Sequence, residues 1–325
     1  MAGAIRVHET GGADVLRYEE VEVGEPGPGQ LKLKQTVIGL NFIDVYFRTG
    51  LYPAPASPFT PGLEAAGEVL AVGDGVNDVT AGDRVAYAAP PLGAYAAERL
   101  MPAAKVVPVP DGISDEQAAA MMLKGMTAWY LLRRTFAVES GQTILFHAAA
   151  GGVGLIACQW AKSLGVEVIG TVGSAAKADL AKAHGCAHVI RYDQENVVER
   201  VKEITSGKKV PVVYDSVGAD TFEGSLDCLA PLGMLVCFGQ SSGPVPPFDL
   251  GILNTKGSLF LTRPSLMAYT AARDDLLTAA KDLFGVVESG AVKIEINQRF
   301  SLKDANKAHE ALEGRKTTGS TLLMP

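Results

Sequence analysis

The sequence predicts an α/β protein with a β-rich first domain and a doubly wound parallel sheet in a second domain. Three observations lead to this prediction: the length, a change of hydropathy pattern near residue 123, and a small-residue turn between a strand and a helix. The chain has 325 residues, enough for about two domains at roughly 150 residues each. An apolar fraction of 47% and a charged fraction of 20% are typical of a folded globular chain.

The first 120 residues have the pattern of short strands separated by turns. Residues 31–37, LKLKQTV, alternate apolar and polar as in a half-buried strand, and 65–72 and 84–87 are rich in β-forming residues. Gly and Pro cluster between these segments at 24–29 and 52–62. We therefore predict an antiparallel, barrel-like domain in this part of the chain.

From about residue 123 onward, strand and helix patterns alternate. The predicted strands lie at 143–147, 166–172, 189–190, 210–214, 235–238 and 257–261, and the predicted helices at 152–164, 175–184, 195–205 and 221–229. Such alternation indicates a parallel sheet covered by helices. The last 60 residues add a helix at 271–287 and a short β/α tail, whose place in the fold this pattern leaves open.

Charge and cysteine usage exclude several classes of function. With 29 Lys and Arg against 36 Asp and Glu, the net charge is −7, and without basic blocks we do not expect nucleic acid as the main partner. No run of about 18 apolar residues predicts a membrane span, and MAGAIRVHETGG resembles neither a signal nor a transit peptide. The scattered Cys158, Cys186, Cys228 and Cys237 lack metal or disulfide spacing, which predicts a cytoplasmic protein with reduced thiols.

The segment HAAAGGVGL is the strongest local indication of a ligand. Ala148, Gly151 and Gly154 have the spacing of the dinucleotide fingerprint, with Ala in the first Gly position. Small residues let the backbone approach a pyrophosphate, and the helix N-terminus supplies N–H groups. We predict cofactor contacts from Gly151, Gly152 and Val153. The alternative is a tight strand–helix turn whose glycines serve packing alone.

The end of the second predicted strand of this domain favours NADPH over NADH. An NAD site usually has Asp or Glu about 20 residues after the glycines, where it accepts from the ribose 2′-OH. Here Gly173, Ser174 and Lys177 follow the strand, and a 2′-phosphate would meet donors and no carboxylate. Tyr192 follows the next strand and is predicted to close the pocket. For Lys177 the alternative is a solvated helix lysine.

Further segments carry a more specific pattern. They are GLNFIDVYFRTGLYP (39–53), PGLEAAGEV (61–69), AGDRVAY (81–87), LKGMTAWYLL (123–132), HAAAGGVGL (147–155), YDSVG (214–218), FGQSSGPV (238–245), GSLFLTRP (257–264) and GRKTTGSTLL (314–323). In these segments the chain resembles the zinc-independent, ζ-crystallin-like quinone oxidoreductases of the medium-chain dehydrogenase/reductase superfamily, nearly end to end.

The resemblance implies a GroES-like catalytic domain, a Rossmann domain and a homodimer. The catalytic domain would comprise residues 1–123 and 264–325, and the NADPH-binding Rossmann domain residues 124–263. Homodimers would form through the edges of the Rossmann sheets. Hydride would pass directly from NADPH to a quinone in a cleft between the domains, with the protein positioning the reactants and excluding water.

The resemblance also implies that the metal sites of zinc alcohol dehydrogenases are missing. Asn41 stands at the position of a Cys ligand and Leu63 at that of a His, and the four clustered Cys of the structural zinc lobe are absent. We therefore predict no bound metal. Without a Lewis acid, the favoured substrates are those that need little activation, namely quinones and activated alkenes.

The resemblance places Asn41, Asp44, Tyr46 and Tyr52 in the active-site cleft. Asn41 would hydrogen-bond either the nicotinamide ribose or the acceptor oxygen. Tyr46 or Tyr52 would stack on a flat quinone or donate a proton, and wall packing is the alternative for each. Asp44 fits a structural hydrogen-bonding role better than that of a base.

Other candidate residues lie at the domain junction, at strand ends and in the tail. The predicted cofactor contacts there are Thr127, Ser216, Gly218, Phe238, Gly239, Ser241, Phe260, Leu261, Thr262 and Arg315. Lys124 either reaches the cleft or pairs with a carboxylate, and Arg315 is either a phosphate contact or a surface arginine. We interpret Asp215 as a structural cap and His147 as a packing residue.

Two other functions compete with quinone reduction. A related enzyme could reduce the double bond of 2-alkenals or enones with the same cofactor, and the glycine motif does not separate the two. A non-enzymatic role, in RNA binding or as a lens-type structural protein, is disfavoured by the acidic charge and the lack of a basic stripe.

Overall fold

The computed structural model describes all residues from Met1 to Pro325. The chain divides into two compact units: unit 1 comprises Met1–Met126, Thr270–Glu288 and Ile294–Pro325, and unit 2 comprises Thr127–Tyr269 and Ser289–Lys293. The domain boundaries at residues 123 and 263 stay predictions. No helix is long and apolar enough to cross a membrane.

The chain forms fifteen strands and ten α-helices. The strands are β1 Ala2–Arg6, β2 Arg17–Val21, β3 Gln30–Leu40, β4 Glu64–Val72, β5 Arg84–Ala88, β6 Glu98–Pro102, β7 Val107–Pro108, β8 Thr143–Phe146, β9 Glu167–Val172, β10 Cys186–Arg191, β11 Val210–Asp215, β12 Leu229–Cys237, β13 Phe260–Thr262, β14 Ile296–Ser301 and β15 Ser320–Met324. The helices are α1 Phe42–Arg48, α2 Asp115–Tyr130, α3 Gly152–Ser163, α4 Ala175–Ala183, α5 Val197–Ile204, α6 Phe222–Asp227, α7 Gly251–Thr255, α8 Leu266–Tyr269, α9 Arg273–Glu288 and α10 Ala305–Glu313.

Unit 1 is built around a seven-stranded sheet. Its order is β14-β15-β3-β4-β5-β7, with β6 also paired to β3. The pairs are antiparallel except β14 with β15, so the strand pairs within the first 120 residues confirm the antiparallel prediction made for that part of the chain. Along β3, Leu31 and Leu33 are buried and Lys34 is exposed, which confirms the predicted half-buried strand. β15 pairs with β3, so the tail belongs to this sheet.

Unit 2 contains a six-stranded sheet in the order β10-β9-β8-β11-β12-β13, and every pair is parallel. This confirms the predicted Rossmann-type, doubly wound fold. The chain runs from β8 outward to β10 and then returns to β11, so the strand order reverses between β8 and β11. In open parallel sheets, ligands bind outside the carboxyl ends of the strands at such a switch point.

Two helices occupy segments of the first 130 residues where the sequence predicted only strands and turns. α1 follows β3, and the Asp44 carboxylate accepts from the N–H of Asn41 at 2.9 Å. α2 begins after Ser114, whose Oγ accepts from the Gln117 N–H at 3.2 Å, while Gln117 Oε1 accepts from the Ser114 N–H at 3.0 Å. Reciprocal capping of this kind satisfies the unpaired N–H groups of a first turn. The Ser-x-x-Gln spacing before α2 therefore contained the missed helix start.

Candidate active site

The turn between β8 and α3 has the compact backbone that the glycine fingerprint predicts. Ala148 has φ of +54°, a left-handed conformation that few non-glycine residues adopt. A Cβ on Gly154 would lie 2.4 Å from the Ala148 carbonyl oxygen, and one on Gly151 would lie 3.2 Å from it. No side chain caps α3, whose N-cap is Gly151. The first-turn N–H groups of Gly152 and Val153 therefore form the type of site that binds phosphate.

Four predicted cofactor residues, Gly173, Ser174, Lys177 and Tyr192, lie where the neighbouring strands β9 and β10 end. Ser174 is the N-cap of α4 and accepts from the Lys177 N–H at 3.3 Å. A Cβ on Gly173 would lie 2.4 Å from Tyr192 Oη, so the tyrosine packs directly over the glycine. Tyr192 is 50% exposed, and residues 173–177 contain no carboxylate. This chemistry favours a 2′-phosphate over a bare ribose hydroxyl.

The loops after β11 and β12 pack tightly against each other. A Cβ on Gly239 would lie 2.6 Å from the Ser216 carbonyl oxygen, which also accepts from the Ser241 N–H at 3.1 Å. Gly218 has φ of +92°, and the Phe238 N–H donates to the Asp215 carbonyl at 2.8 Å. The structure thus brings these predicted residues together at the carboxyl edge of the sheet.

The other predicted cofactor residues are more scattered. Phe260, Leu261 and Thr262 form the edge strand β13, with Phe260 56% exposed. Thr127 is buried at the start of unit 2, whereas Arg315 belongs to unit 1, where it is exposed with φ of +57°. All of these site assignments stay predictions.

A buried chain of polar side chains connects β9, the residue after β8, α6 and β11. Asp215 accepts from the N–H groups of Val217 and Gly218 at 2.7 and 3.1 Å, which bears out its interpretation as a cap. Its Oδ2 accepts from Ser225 Oγ at 2.8 Å. His147 contacts that Oγ through Nε2 at 3.0 Å.

Hydrogen-bond polarity determines the tautomer of His147. Because Ser225 donates its single hydroxyl hydrogen to Asp215, its Oγ must accept from His147 Nε2–H. Nδ1 is then the acceptor for Thr171 Oγ1–H at 2.9 Å. Burial lowers the pKa of His147, consistent with a neutral ring. His147 is therefore buried, as its packing interpretation requires, and is also hydrogen-bonded at both ring nitrogens.

Replacing His147 with Phe is expected to lower the free energy of unfolding by about 2–4 kcal/mol, because Ser225 and Thr171 each lose a buried partner. Urea unfolding monitored by fluorescence would measure this loss. The matched control is His188→Phe at an exposed position of β10, for which we expect a change within about 0.5 kcal/mol. Equal losses in the two variants would contradict the role of the polar chain.

In unit 1, Asp44 is fully buried at the start of α1. Its Oδ2 accepts from the Asn41 N–H at 2.9 Å and from Tyr95 Oη at 3.0 Å, whereas its Oδ1 is buried without a hydrogen-bond partner. Burial raises the pKa of Asp44 to about 7. Because Oδ2 already receives two donors, a proton on this carboxyl group resides on Oδ1.

A chain of buried hydrogen bonds leads from Arg48 to Asp44, and each side chain in it donates to the next. Arg48 is bidentate to Glu313 at 2.7 and 2.9 Å and also contacts His309 Nδ1 at 3.3 Å. Since arginine only donates, His309 accepts at Nδ1 and donates from Nε2 to Tyr95 Oη at 3.0 Å. Tyr95 then donates to Asp44. Burial and the Arg48 charge lower the pKa of His309 to about 3, so the ring is neutral.

The pKa of Asp44 predicts a stability difference that depends on pH. A carboxyl group whose pKa is raised by folding binds more protons in the native state, so stability falls as pH rises from about 4 to about 7, by at most about 1.4 kcal/mol per pH unit. Asp44→Asn keeps an acceptor for Asn41 and Tyr95 and has no such titration. We expect the variant to gain stability relative to the parent between about pH 5 and pH 7 in urea melts.

The comparison isolates Asp44 because both proteins share the surrounding groups. The charged or titratable side chains that act on Asp44 are Tyr95, Lys124 and Glu64, and Arg48 and His309 lie behind Tyr95. A constant difference in unfolding free energy across this pH range would show that Asp44 does not titrate there.

Tyr46 and Tyr52 belong to an aromatic cluster on and beside α1. Their ring centroids are 5.1 Å apart, and Phe42 and Phe47 lie 5.5 and 5.7 Å from Tyr46 and Tyr52 respectively. Tyr46 is buried and Tyr52 half-buried. Both aromatic packing and stacking on a flat ligand fit this arrangement, so their role stays a prediction.

Lys124 pairs with a carboxylate, the second of its two predicted alternatives. Its Nζ lies 3.0 Å from Glu64 Oε2, and both side chains are buried. Asn41 Nδ2 donates to the same oxygen at 2.7 Å. The glutamate therefore joins a predicted site residue to a buried ion pair.

Comparison with known proteins identifies families and solved structures that this chain resembles. Residues 27–111 match the family described as "Alcohol dehydrogenase GroES-like domain", and residues 152–280 match "Zinc-binding dehydrogenase". A quinone oxidoreductase of Pseudomonas aeruginosa is 56% identical over the full length of both chains. The structure of Escherichia coli quinone oxidoreductase complexed with NADPH superposes with a TM-score of 0.99 at 52% identity, covering 100% of each chain. A 2-haloacrylate reductase from Burkholderia is 47% identical over 100% of this chain and 99% of its own length.

The chain belongs to the quinone oxidoreductase family. This confirms the resemblance drawn from the sequence motifs.

Although one matching family is described as "Zinc-binding dehydrogenase", the chain has no cluster of side chains that could bind zinc. No group of three His, Cys, Asp or Glu side chains is arranged to hold a metal ion. Of the positions compared with zinc enzymes, Leu63 has no donor atom, and Asn41 is hydrogen-bonded to Glu64. Metal independence remains a prediction for this family member.

Sequence reasoning missed the residues that support Asn41 and Asp44. Tyr95, His309 and Glu313 reach α1 from distant parts of the chain, with separations of 51 to 265 residues between hydrogen-bonded partners. Glu64 directly follows Leu63, the position compared with a zinc-ligating His, and was assigned no role from the sequence. An acidic residue directly followed by Ala65, Ala66 and Gly67 at the start of β4 was the available indication that it has a partner.

Proposed function

We propose that this chain is an NADPH-dependent quinone reductase that transfers hydride to a quinone without a metal ion. The full-length likeness to a quinone oxidoreductase solved with NADPH carries the proposal. The reduced nicotinamide supplies the hydride when the cofactor is bound. The work of the chain is to bind and orient the reactants and to exclude water.

The residues of unit 2 fit this cofactor. The uncapped first turn of α3 lies at the switch point of the sheet, where a side chain on Gly154 would collide with the turn. Ser174 and Lys177 would hold the 2′-phosphate, with Tyr192, at the end of the neighbouring strand β10, over Gly173. Sites that select NADH instead have a carboxylate for the ribose 2′-OH.

The residues of unit 1 supply binding surface for the acceptor. The aromatic cluster of Phe42, Tyr46, Phe47 and Tyr52 would bind a flat ring by stacking. Asp44 is fully buried in the first turn of α1, where it accepts from the Asn41 N–H and the Tyr95 hydroxyl, so its proposed role is to hold that turn. Protonation of the reduced quinone would use water, because a hydroquinone oxyanion is readily protonated from solvent.

Reduction of activated double bonds is the second candidate. The relative described as a 2-haloacrylate reductase aligns over 100% of this chain, and such an alkene also needs little activation. The cofactor chemistry is the same, so the choice between the two functions depends on the acceptor alone.

NADPH oxidation in parallel assays would test the function. One assay contains an ortho-quinone, another 2-chloroacrylate, and a third a 2-alkenal, each repeated with NADH. We expect rapid turnover with quinone and NADPH, slow turnover with NADH, and no loss of rate after dialysis against a chelator. Turnover of an alkene alone would move the enzyme to the double-bond reductases, and a rate restored only by added zinc would contradict metal independence.

We also propose a homodimer formed through the edge of the unit 2 sheet. β13 is a terminal strand, and Phe260 on it is 56% exposed, while Leu250, which precedes α7 in the chain, is 71% exposed. Exposed apolar edge strands are sites of pairing between chains. Light scattering should give twice the mass of one chain, and Phe260→Lys should shift it toward the monomer. The control Leu277→Lys on α9, 39% exposed, should remain dimeric; a monomeric parent would refute the dimer.

We further propose that the protein resides in the cytoplasm, where thiols stay reduced. All four cysteines are buried and unbridged, which suits a reducing compartment. Fractionation of the native host would test this proposal, and recovery of the chain in an oxidising compartment would contradict it.

A further inference from the structure

The polar chain of Thr171, His147, Ser225 and Asp215 joins two strand ends of unit 2. Thr171 Oγ1 donates to His147 Nδ1 at 2.9 Å, and His147 Nε2 donates to Ser225 Oγ at 3.0 Å. Ser225 Oγ then donates to Asp215 Oδ2 at 2.8 Å. All four residues are at most 3% exposed, so a broken bond leaves a polar group that water does not reach.

The first half of the polar chain adjoins two of the segments that we propose to bind the cofactor. Thr171 precedes Gly173 by two residues, and its carbonyl oxygen accepts from the Ala149 N–H at 3.1 Å. His147 directly precedes Ala148, whose φ of +54° lies in the turn before α3. The side chains therefore connect the fingerprint turn to the loop after β9.

The other end of the polar chain holds the loop after β11. Asp215 Oδ1 accepts from the N–H groups of Val217 and Gly218 at 2.7 and 3.1 Å. Its Oδ2 accepts from Thr221 Oγ1 at 2.7 Å as well as from Ser225. Because hydrogen bonds to a charged acceptor are stronger than those between neutral groups, this carboxylate fixes the direction of donation along the whole chain.

From this arrangement we infer that Thr171, His147 and Ser225 are positioning residues that set the affinity for NADPH, although they are too deeply buried to contact it. They hold the fingerprint turn and the loops after β9 and β11 in one mutual arrangement. A site that adopts its binding conformation for only part of the time has an apparent Kd raised by the inverse of that fraction. The polar chain therefore lowers the Kd by keeping the three segments in place. This inference rests on the proposed NADPH-dependent function.

Two substitutions that break the polar chain at different bonds test the inference. Thr171→Val nearly keeps the shape of the side chain and removes its hydroxyl, and Ser225→Ala removes the hydroxyl between His147 and Asp215. We expect each to raise the Kd for NADPH by about five- to tenfold, the scale of one net hydrogen bond. Thr171→Ser keeps the hydroxyl, so its Kd should lie within about threefold of the parent value.

The combined variant gives a readout that two independent structural roles would not give. Thr171 and Ser225 bond to different nitrogens of the His147 ring. Once one of these bonds is broken, the polar chain is already interrupted. Thr171→Val/Ser225→Ala should therefore raise the Kd by about tenfold, whereas independent effects would multiply to about 25- to 100-fold.

NADPH affinity would be measured by fluorescence titration of folded samples, and the urea midpoint of each variant without cofactor. Quinone kcat at saturating NADPH should stay within about twofold of the parent value, because the cofactor then holds the segments in place. The matched control is Thr205→Val at the end of α5, where the hydroxyl donates to the Val201 carbonyl at 2.7 Å and accepts from the Lys209 N–H at 2.9 Å. Thr205 precedes β11, at the amino edge of the sheet, so this variant should lose stability and keep its NADPH affinity.

Three outcomes would overturn the inference. Parent-like NADPH affinity in folded but destabilised Thr171→Val and Ser225→Ala would show that the polar chain serves the fold alone. Multiplied losses in the combined variant would show that the two hydroxyls do not act through His147. An equal loss of affinity in Thr205→Val would show that affinity follows general stability. If the unaltered protein fails to bind NADPH, it is the proposed function that fails.

A measurement on the unaltered protein keeps the inference testable if the variants do not fold. Because coupling is reciprocal, a polar chain that favours NADPH binding must itself be stabilised by bound NADPH. In a labelled sample, NMR should show the His147 proton on Nε2, and its exchange with water should slow at least about fivefold when NADPH is added. A proton on Nδ1, or slowing no greater than that of the α5 amide protons, would contradict the inference.

Discussion

Replacing Gly154 with alanine is expected to weaken NADPH binding by about 100-fold or more. The added Cβ would lie 2.4 Å from the Ala148 carbonyl oxygen and 2.7 Å from the Ala149 carbonyl carbon, which are backbone atoms that cannot rotate away. The turn must therefore open, and α3 must move from the strand end. A 100-fold loss corresponds to about 2.7 kcal/mol of binding free energy, the scale at which several phosphate hydrogen bonds are disturbed.

A matched control separates this effect from the general consequences of Gly→Ala substitution. Gly224 lies in α6 of the same unit, where a Cβ would meet only Val198 Cγ2 at 3.7 Å. Gly224→Ala should leave NADPH affinity unchanged and raise helix stability by up to about 1 kcal/mol. Fluorescence titration with NADPH and urea unfolding would be run on both variants. Normal NADPH binding by Gly154→Ala would show that the cofactor does not use this turn.

For the other fingerprint glycine, Gly151, the loss of NADPH binding is expected to depend on the size of the side chain that replaces it. A Cβ on Gly151 would lie 3.2 Å from the Ala148 carbonyl oxygen, a contact that a small shift relieves. Gly151→Val adds two further methyl groups beside the N-terminus of α3, where a phosphate would approach. The contrast between the glycines follows from geometry: one packs the turn against the helix, and the other borders the ligand.

The fold could be predicted because its signals are local. The β/α alternation of unit 2 and the alternating residues of β3 follow from spacing over fewer than a dozen residues, and the glycine turn lies within seven. α1 was missed because its sequence, FIDVYFR, is rich in aromatic and β-branched residues that favour strands. Its helical form depends on the cap from Asp44 and on burial against distant partners.

The cofactor site could be predicted where its residues directly follow the strands of the parallel sheet. Gly173, Ser174, Lys177 and Tyr192 lie at adjacent strand ends, so parallel-sheet topology brings them together. The support of Asn41 and Asp44 comes from long-range contacts, such as that of Arg48 with Glu313 across 265 residues. No periodicity or spacing encodes such pairs, and one sequence without others to compare gives no covariation.

Lys177→Ala is expected to raise the KM for NADPH by about 30- to 100-fold and to leave the KM for NADH nearly unchanged. A charge-assisted contact with phosphate contributes about 2–3 kcal/mol of binding free energy. NADH lacks the 2′-phosphate and therefore makes no such contact. The position itself supports a functional role. Lys177 lies in the first turn of α4, beside the N-cap Ser174, where a positive charge opposes the helix dipole.

A matched control separates the loss of this charge from a general effect of substitution in α4. Lys182→Ala, an exposed site in the last turn of the same helix, is the control and should alter neither KM. Equal losses for NADPH and NADH would show that Lys177 contacts a part of the cofactor common to both, and selectivity would then depend on Ser174, Tyr192 and the missing carboxylate alone.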